Sequence, residues 1–286
     1  MRAGLLTAAL SVSACATTPP DPALVPGPLV IVGGGLSDDN AQVWRAFTDA
    51  AGADGTVFVI PAASGYPSES AGSARAAMAL HGLPEGRTRT APLASIDDPT
   101  TPDLDESAWS ERATDAELVA DLRDAAGIWF TGGDQRRITA LLLGSPALDA
   151  IREAHAKGAV IGGTSAGAAA MSDPMITGGF RDGSESEPLT YGRGLGFIED
   201  AVIDQHFTER NRLWRLQEMQ THAPGHVGLG IDEDTALLYD GYTATVLGRG
   251  TVTVVDSPDN VWVAPPGLVI QIVPDEIEVV GEVSEF

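Results

Sequence analysis

Short apolar runs alternate with helical patterns along most of the chain, the rhythm of a mostly parallel sheet covered by helices on both faces. Residues 29–32 read as a first strand that stops at Gly33-Gly34-Gly35, and residues 57–60 as a second, closed by Pro61. Between them, residues 42–50 carry the apolar spacing of a helix. Two further strands are expected at 128–131 and 159–161, each followed by a glycine pair, with crossover helices over 138–143 and 148–156. Residues 92–106, rich in Pro, Asp and Thr, read as a surface connection. After Gly228 the pattern shortens to β-like runs at 236–239, 243–247, 252–255 and 269–272, expected to form a meander beside the main sheet. The expectation is an α/β fold with residues 29–286 in a single domain. Glycines just past strand ends gather at one edge of such a sheet, where ligands of open α/β folds bind. The triple glycine at 33–35 is by itself a weak signal, compatible with close packing or an anion site.

Composition narrows the function. With 286 residues, 43% of them hydrophobic, the chain can bury a sizeable core. A formal net charge of -23 argues against nucleic acid, because a phosphate backbone would be repelled and no basic run offsets it. The single cysteine, Cys15, cannot form an internal disulfide, and its position matters more than its redox chemistry. Arg2 and the apolar stretch 3–10 precede Val12-Ser13-Ala14-Cys15, which resembles a bacterial lipoprotein signal ending in a lipobox. That resemblance implies a signal peptide over 1–14, a lipid on Cys15 as the sole membrane attachment, and a tether over 15–28. Ala16, standing where an aspartate would signal retention, points to the outer membrane, facing periplasm or exterior.

Candidate chemistry centres on Gly163-Thr164-Ser165-Ala166-Gly167, a G-x-S-x-G pattern between an expected strand and a helix beginning near Ala166. Such a tight turn needs small neighbours, and every residue flanking Ser165 is small. A phosphate-binding turn usually has a lysine or arginine nearby in sequence, and none is present. A serine nucleophile needs a base. Of five histidines, His81 and His155 precede glycines or lie in expected helix ends, and His222 and His226 flank Pro224-Gly225. His206 differs, because it follows the apolar segment 201–203 and lies near the end of a buried strand. Arg210, Arg212 and Arg215 follow it, the last two spaced to share one helix face with Leu213 and Leu216 available to bury the other. Such a cluster suits either a solvated face or substrate carboxylates. An acid to orient the imidazole is offered by Asp232-Glu233-Asp234, among which sequence logic does not choose. The order serine, histidine, acid excludes the α/β-hydrolases, where the acid precedes the histidine.

Four segments carry a family resemblance: Phe130-Thr131-Gly132-Gly133-Asp134-Gln135, Gly162 to Ala168 around Ser165, Asp204-Gln205-His206-Phe207 and Gly230-Ile231-Asp232-Glu233-Asp234. In that order they resemble the cyanophycinases, serine peptidases of family S51 related to aspartyl dipeptidase, over residues 28–275. The resemblance implies a class I glutamine amidotransferase-like fold, with Ser165 as nucleophile, His206 as general base and Glu233 as the orienting acid. It further implies that Gln135, Asp204, Gln205, Arg210, Arg212 and Arg215 line the substrate site, with the N–H groups of Gly133 and Ala166 as oxyanion hole. No metal or organic cofactor is implied, and no Cys/His cluster with ligand spacing occurs in the sequence. The substrate implied is cyanophycin, a polyaspartate with an arginine on each β-carboxyl, or else another aspartyl or isoaspartyl peptide. Dimers are common in the family, so a homodimer is compatible with the resemblance. The acidic, glycine-rich stretch 180–195 reads as a loop near the site.

Overall fold

Strand side chains alternate between two faces, and here each face finds its own helices. The computed structural model describes residues 25–182, 185–273 and 276–283; the expected signal peptide and Cys15 lie outside them. Five strands pair in parallel in the order β1-β5-β4-β2-β3: β1 (Leu29–Val32), β2 (Val57–Ile60), β3 (Thr88–Thr90), β4 (Gly127–Phe130) and β5 (Val160–Thr164). Val30, Val32, Val57, Val59 and Trp129 meet Val43, Trp44 and Phe47 of α1 (Ala41–Ala50) and Ala74 and Met78 of α2 (Pro67–Leu80). The alternate residues, Ile31, Phe58, Ile60, Ile128 and Phe130, face α3 (Ala116–Arg123), α4 (Gln135–Leu142) and α5 (Pro146–Ala156). Helix α6 (Ala166–Ala169) follows β5 directly.

Beyond the parallel strands the chain departs from a simple meander. A hairpin of β6 (Met175–Asp182) and β7 (Glu185–Gly192) replaces most of the loop expected over 180–195. Its second strand is largely exposed, so it lacks the apolar alternation that would have marked it. Next come β8 (Ala201–Gln205), α7 (Leu213–His222), β9 (Val227–Ile231), β10 (Thr235–Tyr239), β11 (Thr243–Gly248), β12 (Val252–Ser257), β13 (Asn260–Ala264), β14 (Leu268–Val273) and β15 (Glu276–Glu282). Of these, β10, β11, β14 and β15 extend the main sheet antiparallel from β1, giving nine strands. The remaining β8, β9, β12 and β13 form a second sheet of four, in which β8 and β9 run parallel. Ile203, Leu229, Ile231 and Val254 join the core on the α3–α5 side, while α7 covers the outside of this sheet through Leu216 and Met219 against Val202, Phe207 and Val255.

The connection expected at the surface over 92–106 is partly interior. Glu106 is buried, its carboxylate accepting from the hydroxyls of Ser68 (2.6 Å) and Thr101 (2.5 Å), and buried Asp98 accepts from the N–H of Glu69 (2.9 Å). Two acids thus tie this segment to the start of α2, each buried with hydrogen-bond partners as burial requires. No helix among the described residues is long and apolar enough to cross a membrane.

Candidate active site

Ser165 stands at the carboxyl end of β5, which lies between β1 and β4 among the parallel strands. Its backbone takes φ 53° and ψ -113°, a conformation that costs on the order of 1–3 kcal/mol and persists only where surroundings impose it. They do so here. The Ser165 N–H donates to the Val32 carbonyl at 2.9 Å. A Cβ on Gly163 would come 2.8 Å from the carbonyl carbon of Gly167, and one on Gly167 would come 2.4 Å from the Phe130 carbonyl oxygen. The two glycines of the G-x-S-x-G pattern therefore permit the turn to close against itself and against β4.

His206 directly follows β8 with φ 46°, its N–H donating 2.6 Å to the Gly33 carbonyl. Its Nε2 lies 2.9 Å from Ser165 Oγ and its Nδ1 lies 2.6 Å from Glu233 Oε1. An ionised carboxylate only accepts, so Nδ1 carries the proton and leaves Nε2 to accept from the serine. Burial pushes the His206 imidazole below its ordinary value; the Glu233 hydrogen bond opposes this, and the charges of Arg210 and Arg212 add to it. The ring is thereby kept neutral near pH 7, with Nε2 free to accept a proton.

Glu233 sits in the turn between β9 and β10, where the chain crosses from the smaller sheet to the larger. Its neighbours point elsewhere. Asp232 accepts from the N–H and hydroxyl of both Thr208 and Thr251 (2.5–3.1 Å). Asp234, at φ 53°, accepts from the Ser37 N–H and Asn40 Nδ2, each at 2.9 Å, and pairs with Arg249 at 2.8 Å. Of the three acids left open by the sequence, only Glu233 touches the imidazole.

The other expected site residues divide. Gln205 Oε1 lies 3.4 Å from Ser165 Oγ. Gln135 is buried and donates through Nε2 to the Ile176 carbonyl at 2.8 Å, holding the hairpin. Asp204, also buried, lies 2.9 Å from Arg215 Nε, off the line of a hydrogen bond, and 3.3 Å from an Arg212 guanidinium nitrogen. Arg212 in turn donates to the Gln205 carbonyl. Burial pushes the Asp204 carboxyl upward against the pull of Arg215 and Arg212, and lowers Arg212 to about 10. Arg212, which caps α7, and Arg215 both turn to Asp204 as their spacing suggested, but the burial expected of the leucines is corrected: Leu216 is buried and Leu213 is exposed, while Arg215 lies inside. Arg210 alone of the three is exposed. The N–H groups of Gly133 and Ala166 have no protein acceptor among the described residues, and Gly132, next to Gly133 in the chain, packs on the serine, where an added Cβ would stand 3.3 Å from the Ser165 Cβ.

Sequence reasoning missed two contributions. The triple glycine at 33–35 is a strut: the Gly33 carbonyl receives His206 and the Gly34 carbonyl receives the Asp234 N–H at 2.8 Å. A cavity of about 370 Å³ also opens beside Ser165 and His206, walled by Trp44, Ala74 and Trp129. One side of it, Ser70, Ser73 and Ala74, comes from α2, whose alanine-rich sequence carries little amphipathic signal; Pro67 at its first turn was the available cue.

A hydroxyl linked through a neutral imidazole to a carboxylate, at the strand ends of an α/β sheet, is the arrangement of serine hydrolases. Residues 106–247 match the sequence model of peptidase family S51. Similarity to the cyanophycinase of Synechococcus elongatus is 43% identity over 151 residues, 51% of this chain and 47% of that protein. For the cyanophycinase of Geminocystis herdmanii it is 45% over 133 residues, 45% of this chain and 48% of that one. The chain is thus a member of peptidase family S51, and it spans about half the length of these relatives. Its fold is shared with a peptidase from an acI-B1 Actinobacterium (TM-score 0.66, 24% identity, 87% of this chain and 98% of that one). A second likeness is to a putative peptidase E protein from Listeria monocytogenes EGD-e (TM-score 0.52, 18% identity, 79% of this chain and 100% of that one).

Proposed function

We propose that the protein is a serine exopeptidase that cleaves the polyaspartate backbone of cyanophycin and releases β-aspartyl-arginine dipeptides. The observation that carries this is the pair of contacts at His206, 2.9 Å to Ser165 Oγ and 2.6 Å to Glu233 Oε1, in a chain similar to cyanophycinases. Ser165 Oγ attacks the aspartyl carbonyl as His206 Nε2 takes its proton. The tetrahedral oxyanion forms against the N–H groups of Gly133 and Ala166, each such donor contributing about 10²–10³-fold. His206 then protonates the leaving amine, and an acyl-enzyme remains on Ser165. Water attacks it with His206 again as base, freeing the dipeptide and restoring the serine. Glu233 holds the imidazole tautomer and balances its transient charge. Arg210, exposed beside the imidazole, is available to the free carboxylates of the polymer, whereas Arg212, Arg215 and Asp204 act as a buried support beneath Gln205 and His206.

The leader residues support export and lipidation at Cys15, so that the enzyme would meet polymer released by lysed cells. Labelling with a radioactive fatty acid tests this, and an unlabelled full-length chain would overturn it. For the activity, the purified protein is incubated with insoluble cyanophycin and the dipeptide is detected by mass spectrometry. Hydrolysis of short aspartyl or isoaspartyl peptides with none of the polymer would replace cyanophycin by that substrate class.

A further inference from the structure

We propose that the cavity beside Ser165 is a subsite for a guanidinium-bearing side chain, with Asp38 as the residue that selects the positive charge. This rests on the reading of the substrate as an arginine-bearing aspartyl polymer and assigns its cationic arm to one place. The polymer displays both charges, and charged groups of both signs stand near the catalytic pair. Arg210 bears on His206 as an unburied cation. The cavity borders Ser165 and His206 as well, yet among its lining residues the one carboxylate is Asp38 and no lysine or arginine is present. Its walls are Trp44, Trp129 and Ala74, with the hydroxyl residues Ser70 and Ser73. A cavity with two indole walls and one acid at an exposed position suits an alkyl stem that ends in a planar cation.

Asp38 is available for this role, and its neighbours are not. Asp39 is paired with Arg249 at 2.9 Å and accepts from the Ser37 hydroxyl, and Asp234 is paired with the same arginine. The Asp38 carboxylate has no ion-pair or hydrogen-bond partner among the described residues, while its backbone is fixed by His81 Nε2, 2.7 Å from the Asp38 carbonyl. A second, independent sign lies deeper. Thr131 borders the cavity at 3% exposure, and its hydroxyl is buried with no hydrogen-bond partner. Unsatisfied buried hydroxyls are costly and uncommon, and one facing a ligand pocket is completed when the ligand brings a donor. A guanidinium offers five N–H donors, so it can pair with the Asp38 carboxylate and still have donors for a cavity hydroxyl. A volume of about 370 Å³ is in the range of small-ligand sites.

The test uses binding, so it does not depend on turnover. n-Butylguanidine and its neutral isostere n-butylurea are titrated into the whole protein and followed by ligand-observed NMR. Butylguanidine is expected to bind wild type and to bind Asp38→Asn about tenfold more weakly, the loss typical of a charge-assisted hydrogen bond. Asp38→Glu, which keeps the charge, is expected to restore most of the affinity. Asp259→Asn, an exposed acid away from the cavity lining, controls for the general attraction of a cation to an acidic protein. No binding of butylguanidine to wild type, equal binding to Asp38→Asn, the same loss in Asp259→Asn, or equally tight butylurea each overturns the subsite. Failure to release dipeptide from cyanophycin would instead remove the polymer as substrate and leave this measurement readable.

Discussion

A Cβ on Gly34 would stand 2.3 Å from Cε1 and 2.5 Å from Nε2 of His206, so the imidazole occupies the space that a side chain at Gly34 would fill. The glycine also has φ +110°, a backbone conformation that other residues rarely adopt. Gly34→Ala is expected to move the ring off the serine and to lower kcat by about 100-fold or more, the usual scale for a displacement of about 1 Å. Steady-state kinetics beside thermal unfolding tests this. A variant with wild-type kcat would mean that the ring does not need its present position.

The three consecutive acids separate cleanly by role. Glu233→Gln keeps the shape and removes the negative charge facing Nδ1, and turnover is expected to drop roughly 10³–10⁴-fold with little change in stability. Asp232→Asn disturbs the grip on Thr208 and Thr251, and its main effect is expected in the urea midpoint rather than in kcat. Ser165→Ala is expected to fall by about 10⁶-fold, to the level set by binding and the oxyanion donors alone. Full activity in Glu233→Gln would reassign the acid.

The pH profile follows from the imidazole. His206 must be neutral to accept the serine proton, and burial lowers its pKa from 6.5, so the acid limb of kcat/KM is expected below pH 6.5. Activity is present above that limb and lost as pH falls through it. Glu233 is the influence that raises the value, so Glu233→Gln is expected to shift the limb further toward acid in whatever activity remains. A wild-type limb above pH 6.5, or a shift toward alkali in the variant, would contradict the electrostatics described.

Arg210 and Arg215 look alike in sequence and are expected to behave differently. Arg215→Met leaves Asp204 buried with only Arg212 beside it, and a loss of roughly 3 kcal/mol in urea unfolding is expected for breaking such a pair. Arg210→Ala is expected to leave the unfolding free energy within about 0.5 kcal/mol and to raise KM for the polymer. Equal stability of the two variants would show that the buried pair does no structural work.

What the sequence disclosed of the site is the part that chemistry constrains by residue type. A serine among small residues after an apolar run, and a histidine after another, could be read because both lie at strand ends. The choice of Glu233 could not be read, since it depends on how three adjacent side chains fan out around a turn with positive φ at Asp234. The arginines were spaced correctly for a helix face, but spacing does not say which face is buried, and Arg215 went inward while Leu213 did not. Likewise β8 and β9 have the same apolar look as β1 and β5, and nothing in a single run says which sheet it joins. The β6–β7 hairpin escaped because β7 is largely exposed and lacks apolar alternation; it is held instead by tertiary contacts, among them Gln135 to Ile176, Arg215 to the Gly179 carbonyl at 3.3 Å, Arg181 to Glu218 at 3.1 Å and over the Trp214 ring, and Tyr191 against His222.

Ser165 is anchored in the nine-stranded sheet, His206 and Glu233 in or just beyond the four-stranded one. The 2.9 Å between hydroxyl and imidazole is therefore the gap across a seam within one molecule. Catalytic competence becomes a measure of how tightly two layers stay in register. A perturbation that lets them slip by about an ångström would leave every helix and strand standing and still disarm the serine. The same seam is a place where selection can tune rate, by repacking residues that never meet the substrate.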